Sequence, residues 1–439
     1  MKKILLTILA VLAMTGMAMA QTAPSDINLH RNEDGSWSFI MPGRNLVMST
    51  ETFSTNDTVN GHYLGGVPEG WLILALGDTV PVSNDSLRRT TPITEGTPVT
   101  IVPTGNLRRI KSITLVDEAP AGPPSWKLTL SSPAKELCII ANGGRLIAQH
   151  TLDVASTEFT VEMPELTSQT VNIFATDESG NCWYCTQENM SFAIGQTYQS
   201  SPTMTALDED NSKPLYKITA TSGVTIPDGK TVVLSGVNIS SGSITCSGNV
   251  TMILLGSNSV TTATNEKAAI KIGGSGTTLT ITGSGSLTAQ GGQSAAGIGT
   301  DRNGTGGNIV INGGTVTATG GKFGAGIGTG RAQSGSSTCG DITINGGTVT
   351  ATGGSTGGAG IGTGLSITSG GSNTCGAITI GTGVTMVTAT GSDAPNSIGK
   401  GRADLGGTQT CGTITIGGDA TTYATGVTTS PFTYEPSGN

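Results

Sequence analysis

Charge and aromatic rings are scarce in this chain. Of its 439 residues, 12% are charged and 4% aromatic. Phe323 is the one ring between Lys217 and Thr422, so the stacking platforms usual in sugar sites are nearly missing from that stretch. Only three histidines occur, none beyond His150, which removes the commonest general base and metal ligand from the C-terminal half. No apolar run approaches the ~20 residues that crossing a bilayer needs, so the chain is not expected to span a membrane. The formal net charge is −8, which argues against a nucleic-acid partner, because affinity for phosphate backbones rests on basic residues.

Glycine is abundant, with 67 residues, and the reason is a repeat. TLTIT, NIVIN, DITIN, AITIG and TITIG set apolar pairs at Leu279/Ile281, Ile309/Ile311, Ile342/Ile344, Ile378/Ile380 and Ile414/Ile416, at spacings of 30, 33, 36 and 36 residues. A second segment follows, as in SLTA or TVTATGG, and then AGIGT or its variant SIGKG. A period of this size marks a solenoid whose units bury their cores only by stacking. The Ile, Val and Leu positions alternate with Thr, Ser or Asn, as strands with one buried face require. Short strands separated by Gly-rich corners describe an all-β, right-handed parallel β-helix over 214–430. The extra residues of the longer units fall at one corner, Arg331–Thr338 and Leu365–Thr374, and are expected to project as loops.

The start of the chain reads as a secretory signal peptide over 1–20. Lys2 and Lys3 open it, Ile4 to Leu12 form its apolar stretch, and Ala18-Met19-Ala20 precede Gln21 as the cleavage site. A secreted product, extracellular or at an outer surface, is therefore expected, with a net charge of −10 once both lysines are removed. Residues 21–118 form a small β module of no assigned type. After the linker Ala119–Pro124, residues 125–207 read as a sandwich-like β module with strands at WKLTLS, LCIIA, FTVEM and TVNIFAT and a hairpin turn at Asp177–Asn181.

Seven cysteines leave at least one unpaired in a monomer. Cys339, Cys375 and Cys411 recur 36 residues apart and should stack on neighbouring rungs. Rungs ~4.8 Å apart allow a disulfide, but a ladder of small buried thiols is the favoured reading. Cys182-Trp183-Tyr184-Cys185 follows a turn and looks like a strand, so it is read as structural rather than redox-active.

Two resemblances rest on these residues. The pattern GGTVTATGG, GAGIGTG and CGxITI resembles the β-helix repeats of bacterial surface proteins described as carbohydrate-binding-domain-containing. That resemblance implies attachment to polysaccharide or surface glycans, adhesin-like and without catalysis. The stretch from Ala175 to Leu207, with Phe192, Gly195 and Tyr198 as F-x-x-G-x-x-Y, resembles the closing strands of fimbrillin-like modules. It implies a surface or pilus-associated protein and association with other surface proteins.

Enzymes on this architecture need paired carboxylates, or a calcium site with a basic residue. The acids of the helix, Asp228, Glu266, Asp301, Asp341, Asp393, Asp404 and Asp419, are scattered over different rungs. A polysaccharide lyase or glycoside hydrolase therefore stands second to a binding protein, and a structural or pilus-associated spacer is a third reading. No metal or cofactor is expected. The candidate ligand-binding edge is a column four residues after each core isoleucine, formed by Arg302, Arg331, Leu365 and Arg402, with Lys400, Asp301 and Asp404 beside it. Stacked guanidinium groups suit the carboxylate or sulfate of an acidic glycan; the competing reading is that each pairs with a neighbouring acid. A second candidate surface is a flat threonine array, with Thr315, Thr317 and Thr319 stacked on Thr348, Thr350 and Thr352.

Overall fold

The computed structural model describes residues 123–417 and 426–436 in full, with backbone alone for strands between 30 and 116 and for Thr421–Thr422. The leader expected at 1–20 lies outside the described residues. The chain divides between Gly122 and Pro123 into two compact units. In the first, Asn45–Thr52 pairs antiparallel with Arg108–Val116 and with Ser86–Arg88, and Trp37–Ile40 pairs likewise with His30–Arg31 and Pro98–Ile101.

The second unit begins with one six-stranded sheet. Its long strand Ser125–Ala141 pairs along one side with Leu146–Glu162, and along the other with Thr197–Ser200 and then Leu166–Thr176. The register breaks between Thr129 and Ala134, where the strand bends, as strands do at bulges. One apolar core results, with Trp126, Leu128, Leu137, Ile139, Phe159, Ile173 and Phe192 buried together. The F-x-x-G-x-x-Y residues form one tight device here. Phe192 packs on Trp126 at 5.0 Å and on Tyr198 at 4.9 Å. Gly195 takes φ +74° to turn the chain, and the Tyr198 hydroxyl accepts the Ala193 N–H at 3.0 Å.

Between Leu215 and Ile416 the strands pair in parallel, each with the one a turn later, as a right-handed β-helix. Residues of the same repeat position meet in register, so Leu279, Ile309, Ile342, Ile378 and Ile414 form one continuous internal column. The IG pair of AGIGT makes the opposite wall through Ile298, Ile327, Ile361 and Ile398. Glycine is obligatory after each isoleucine. Gly328, at φ +133°, would place a Cβ 1.9 Å from the Gly362 carbonyl oxygen of the next rung.

The extra residues of the longer units do not project as loops. They fold as a further parallel sheet in which Ser336–Cys339, Ser372–Cys375 and Thr408–Cys411 stack in register. Buried side chains tie this sheet to the corner. Thr329 accepts the Gly364 N–H at 2.9 Å and donates to Asn373 at 3.3 Å; Thr363 accepts the Gly401 N–H and donates to Gln409 at 2.6 Å. An insertion that carries its own polar ladder has nowhere better to go than onto the stack. Cys339, Cys375 and Cys411 sit in register as free thiols, so the ladder of small residues is the form seen.

The sheet module packs directly on the first rungs. Val233, Ile253 and Leu255 point out of the helix and are buried against Cys138, Ile140, Phe174 and Cys182. Polar contacts frame this seam. Glu136 accepts the Gly256 N–H at 2.8 Å, Asn312 donates to the Gly143 carbonyl at 3.1 Å, and Lys217 donates to the Gly180 carbonyl at 2.7 Å.

Candidate functional site

One regular surface of the described helix is a hydroxyl lattice. The strand segments Asn308–Thr319 and Ile342–Thr352 pair so that Thr315 meets Thr348, Thr317 meets Thr350 and Thr319 meets Thr352. The array continues on both sides. Ser286, Thr288 and Gln290 pair with the first row, and Met386, Thr388 and Thr390 with the second. Ser257, Ser259 and Thr261 add one more row beyond Ser286–Gln290. Alternate residues point inward, and Leu287, Ala289, Val316, Ala318, Val349, Ala351, Val387 and Ala389 are fully buried. Their partners are thereby held outward on a strand-spaced grid, with rows ~4.8 Å apart and neighbours within a row about 6.6 Å apart. None of these outward positions carries a charge. At the far edge the antiparallel strand Phe432–Tyr434 pairs with Val387–Ala389 and brings Thr433 to 3.5 Å from Thr388, closing the lattice.

The basic column is in register as well, but its members have different surroundings. Pairing of Ala332 with Ser366 and of Ser366 with Ala403 places Arg331, Leu365 and Arg402 on successive rungs. Arg402 is held at Asp404 by a 2.8 Å hydrogen bond and is also paired with Asp393. These contacts raise its already high pKa, the Asp404 bond foremost. Arg302 pairs with Glu266. Leu365 is buried and interrupts the column. Asp301 is itself 7% exposed and is held by Lys267 at 2.9 Å, Lys271 at 3.2 Å and the Ala268 N–H at 2.9 Å. Lys400 has no carboxylate partner among the described residues.

Arg331 differs from the other arginines. Its guanidinium lies over the Phe323 ring at 4.5 Å from the centroid, and the Lys322 ammonium lies 5.2 Å from the same centroid. Its Nε is buried without a hydrogen-bond partner. Burial, and then the charge of Arg302, pull the guanidinium below its ordinary pKa.

Among the described residues, the remaining helix carboxylates act as corner caps. Asp228 accepts the Asn249 N–H at 2.6 Å and Asp341 the Ala377 N–H at 2.7 Å, with Asn308 doing the same for Asp341 at 2.9 Å. The signal for these caps is an Asn or Asp directly before or at the start of a core strand, which the repeat pattern displays at Asn249, Asn308 and Asp341. The Phe323–Arg331 stack and the inner Thr329 and Thr363 anchors carry no comparable signal at single-sequence level.

In comparisons with known proteins, a family model described as a beta helix repeat matches residues 279–302, 309–331 and 342–365. These are three successive turns of the stack, and each match ends on the column of Arg302, Arg331 and Leu365. No curated protein and no solved structure gives a match.

Proposed function

We propose that this chain is an exported, non-catalytic surface protein that binds carbohydrate, adhesin-like, and that the hydroxyl lattice is its principal contact face. The observation that carries this reading is the in-register grid from Ser257–Thr261 to Met386–Thr390, flat, uncharged and held rigid by a fully buried inner layer. Hydroxyl groups on a fixed lattice complement a polymer that itself presents hydroxyls at regular intervals. Each contact, direct or through a water, is weak, but many repeats acting together give avidity without any single strong site. Neutral polysaccharide is the ligand class that such a face suits.

Carboxylate engagement supports binding over turnover. Every described carboxylate of the helix is either an ion-pair partner of Lys or Arg or a cap on a backbone N–H, so none stands free to act as a general acid or base. The same self-contained ion pairs would also suit a spacer with no small ligand. An array of neutral and acidic glycans probed with the full chain, beside an assay for newly released reducing ends, separates the three. Retention without release supports binding, release supports an enzyme, and neither supports the spacer.

A further inference from the structure

We propose that Arg331 and Lys322 at the Phe323 ring, together with Arg302 on the preceding rung, form a subsite for the sulfate or carboxylate group of an acidic glycan. The inference deepens the carbohydrate-binding reading and rests on it, by naming a class of sugar that the uncharged lattice does not select.

Three observations converge on this edge. Arg331 has no carboxylate within ion-pair distance among the described residues, whereas Arg302 has one and Arg402 has two. Its Nε is buried and finds no acceptor, although a buried donor left unpaired costs more than a made bond gains. Lys322, which has no carboxylate partner among the described residues, brings a second cation to the same ring. Like charges crowded together are relieved when an anion enters between them.

The fold holds this group in place without neutralising it. The Arg331 N–H bonds to the Ser294 carbonyl at 2.8 Å, and the Phe323 N–H bonds to the Gln293 carbonyl at 2.9 Å, so both residues hang from the same stretch of the previous rung. The Phe323 carbonyl in turn accepts the Leu365 N–H at 2.8 Å, which fixes the ring's backbone from the other side. Stacking on the ring pre-orients the planar guanidinium and leaves its edge for an oxyanion, which it can bind through two parallel N–H donors. The Arg302–Glu266 pair is partly exposed, and a pair of that kind contributes little stability.

The test uses the full chain on immobilised polygalacturonate, dextran sulfate and plain dextran at low salt. Retention is expected on one or both acidic polymers, and which of them retains the protein distinguishes carboxylate from sulfate. Arg331→Gln should weaken that retention roughly ten- to hundredfold, and Arg331→Lys should fall between. Lys127→Gln removes the same charge from an exposed position of the strand Ser125–Ala141, outside both candidate faces, and should leave retention unchanged. Circular dichroism of each variant checks that the helix is intact. Equal losses in Arg331→Gln and Lys127→Gln would reduce the effect to net charge and overturn the subsite. Binding to insoluble neutral glycan with no retention on either acidic polymer would overturn the subsite alone. Failure to bind any glycan would overturn the carbohydrate-binding reading and the subsite with it.

Discussion

Glu136 accepts the backbone N–H of Gly256 across 120 residues of sequence, at 2.8 Å, and the pair marks the seam where the N-terminal sheet of the second unit lies on the β-helix. Gly256 ends the strand Val250–Leu255 and turns the chain into Ser257–Thr261, the first row of the hydroxyl lattice. The docked sheet thus covers one outer face of the early rungs, and the lattice occupies the next.

Removing this seam should be costly. Glu136→Ala leaves the Gly256 N–H and the Ser284 hydroxyl without their shared acceptor. A loss of about 1–3 kcal/mol is expected, read as a lower urea midpoint for residues 123–439. Cutting the chain before the helix would also expose Val233, Ile253 and Leu255. A helix expressed without residues 123–207 should bind a hydrophobic dye and self-associate, whereas the longer chain should not.

The glycine after each inner isoleucine should tolerate nothing larger. Gly328→Ala would drive its Cβ into the Gly362 carbonyl of the next rung. Neither backbone can yield, because both belong to the same stacked wall. The expected outcome is loss of cooperative unfolding by calorimetry, while Ala325→Gly, on the same turn, should retain a transition.

Thr329 is an inner anchor rather than a surface hydroxyl. Thr329→Ala removes the acceptor of the Gly364 N–H and the donor to Asn373. A destabilisation of about 1–3 kcal/mol is expected from the orphaned partners, with Thr329→Ser restoring most of it. Thr317→Ala, at an outward position of the lattice, should change the melting temperature little.

The buried thiols set an alkaline limit. Burial pushes Cys138 and Cys246 up to about 12 from 9.0. Between those values the unfolded chain gives up its thiol protons and the folded chain keeps them. The contribution is fully present below about pH 9 and is lost as pH rises toward 12, at about 1.4 kcal/mol per pH unit for each thiol. Melting temperature should therefore fall between pH 9 and 11, and less steeply in Cys246→Ala. A slope unchanged by that substitution would contradict the assignment.

Much of this architecture is legible in the sequence because a parallel β-helix converts sequence period directly into spatial register. Thr317 lies beside Thr350, and Arg331 beside Leu365, for no reason beyond their places in the repeat. What register does not specify is the partner chosen by a long side chain. Arg302 reaches Glu266 rather than adjacent Asp301, because Asp301 is turned inward toward Lys267, Lys271 and the Ala268 N–H. The seam left a trace that was readable in principle. Val232-Val233-Leu234 and Met252 to Leu255 are unbroken apolar runs, and in the next turn the position of Val233 and Ile253 is taken by Thr282. Strands covered on both faces have that composition. The long insertions misled because extra length at a corner ordinarily means a loop, and here Ser337, Asn373 and Gln409 tie it to the inner threonines instead.

The most direct test of the carbohydrate-binding account is co-sedimentation of the full chain with insoluble neutral polysaccharides, cellulose and chitin among them. The wild type is compared with Thr317→Lys/Thr350→Lys, which plants two charges at the centre of the lattice without touching the buried layer. The account predicts saturable binding of the wild type to a neutral polysaccharide and at least a tenfold loss in the double variant, with an unchanged melting temperature. Equal binding by both proteins, or none by either, would contradict it.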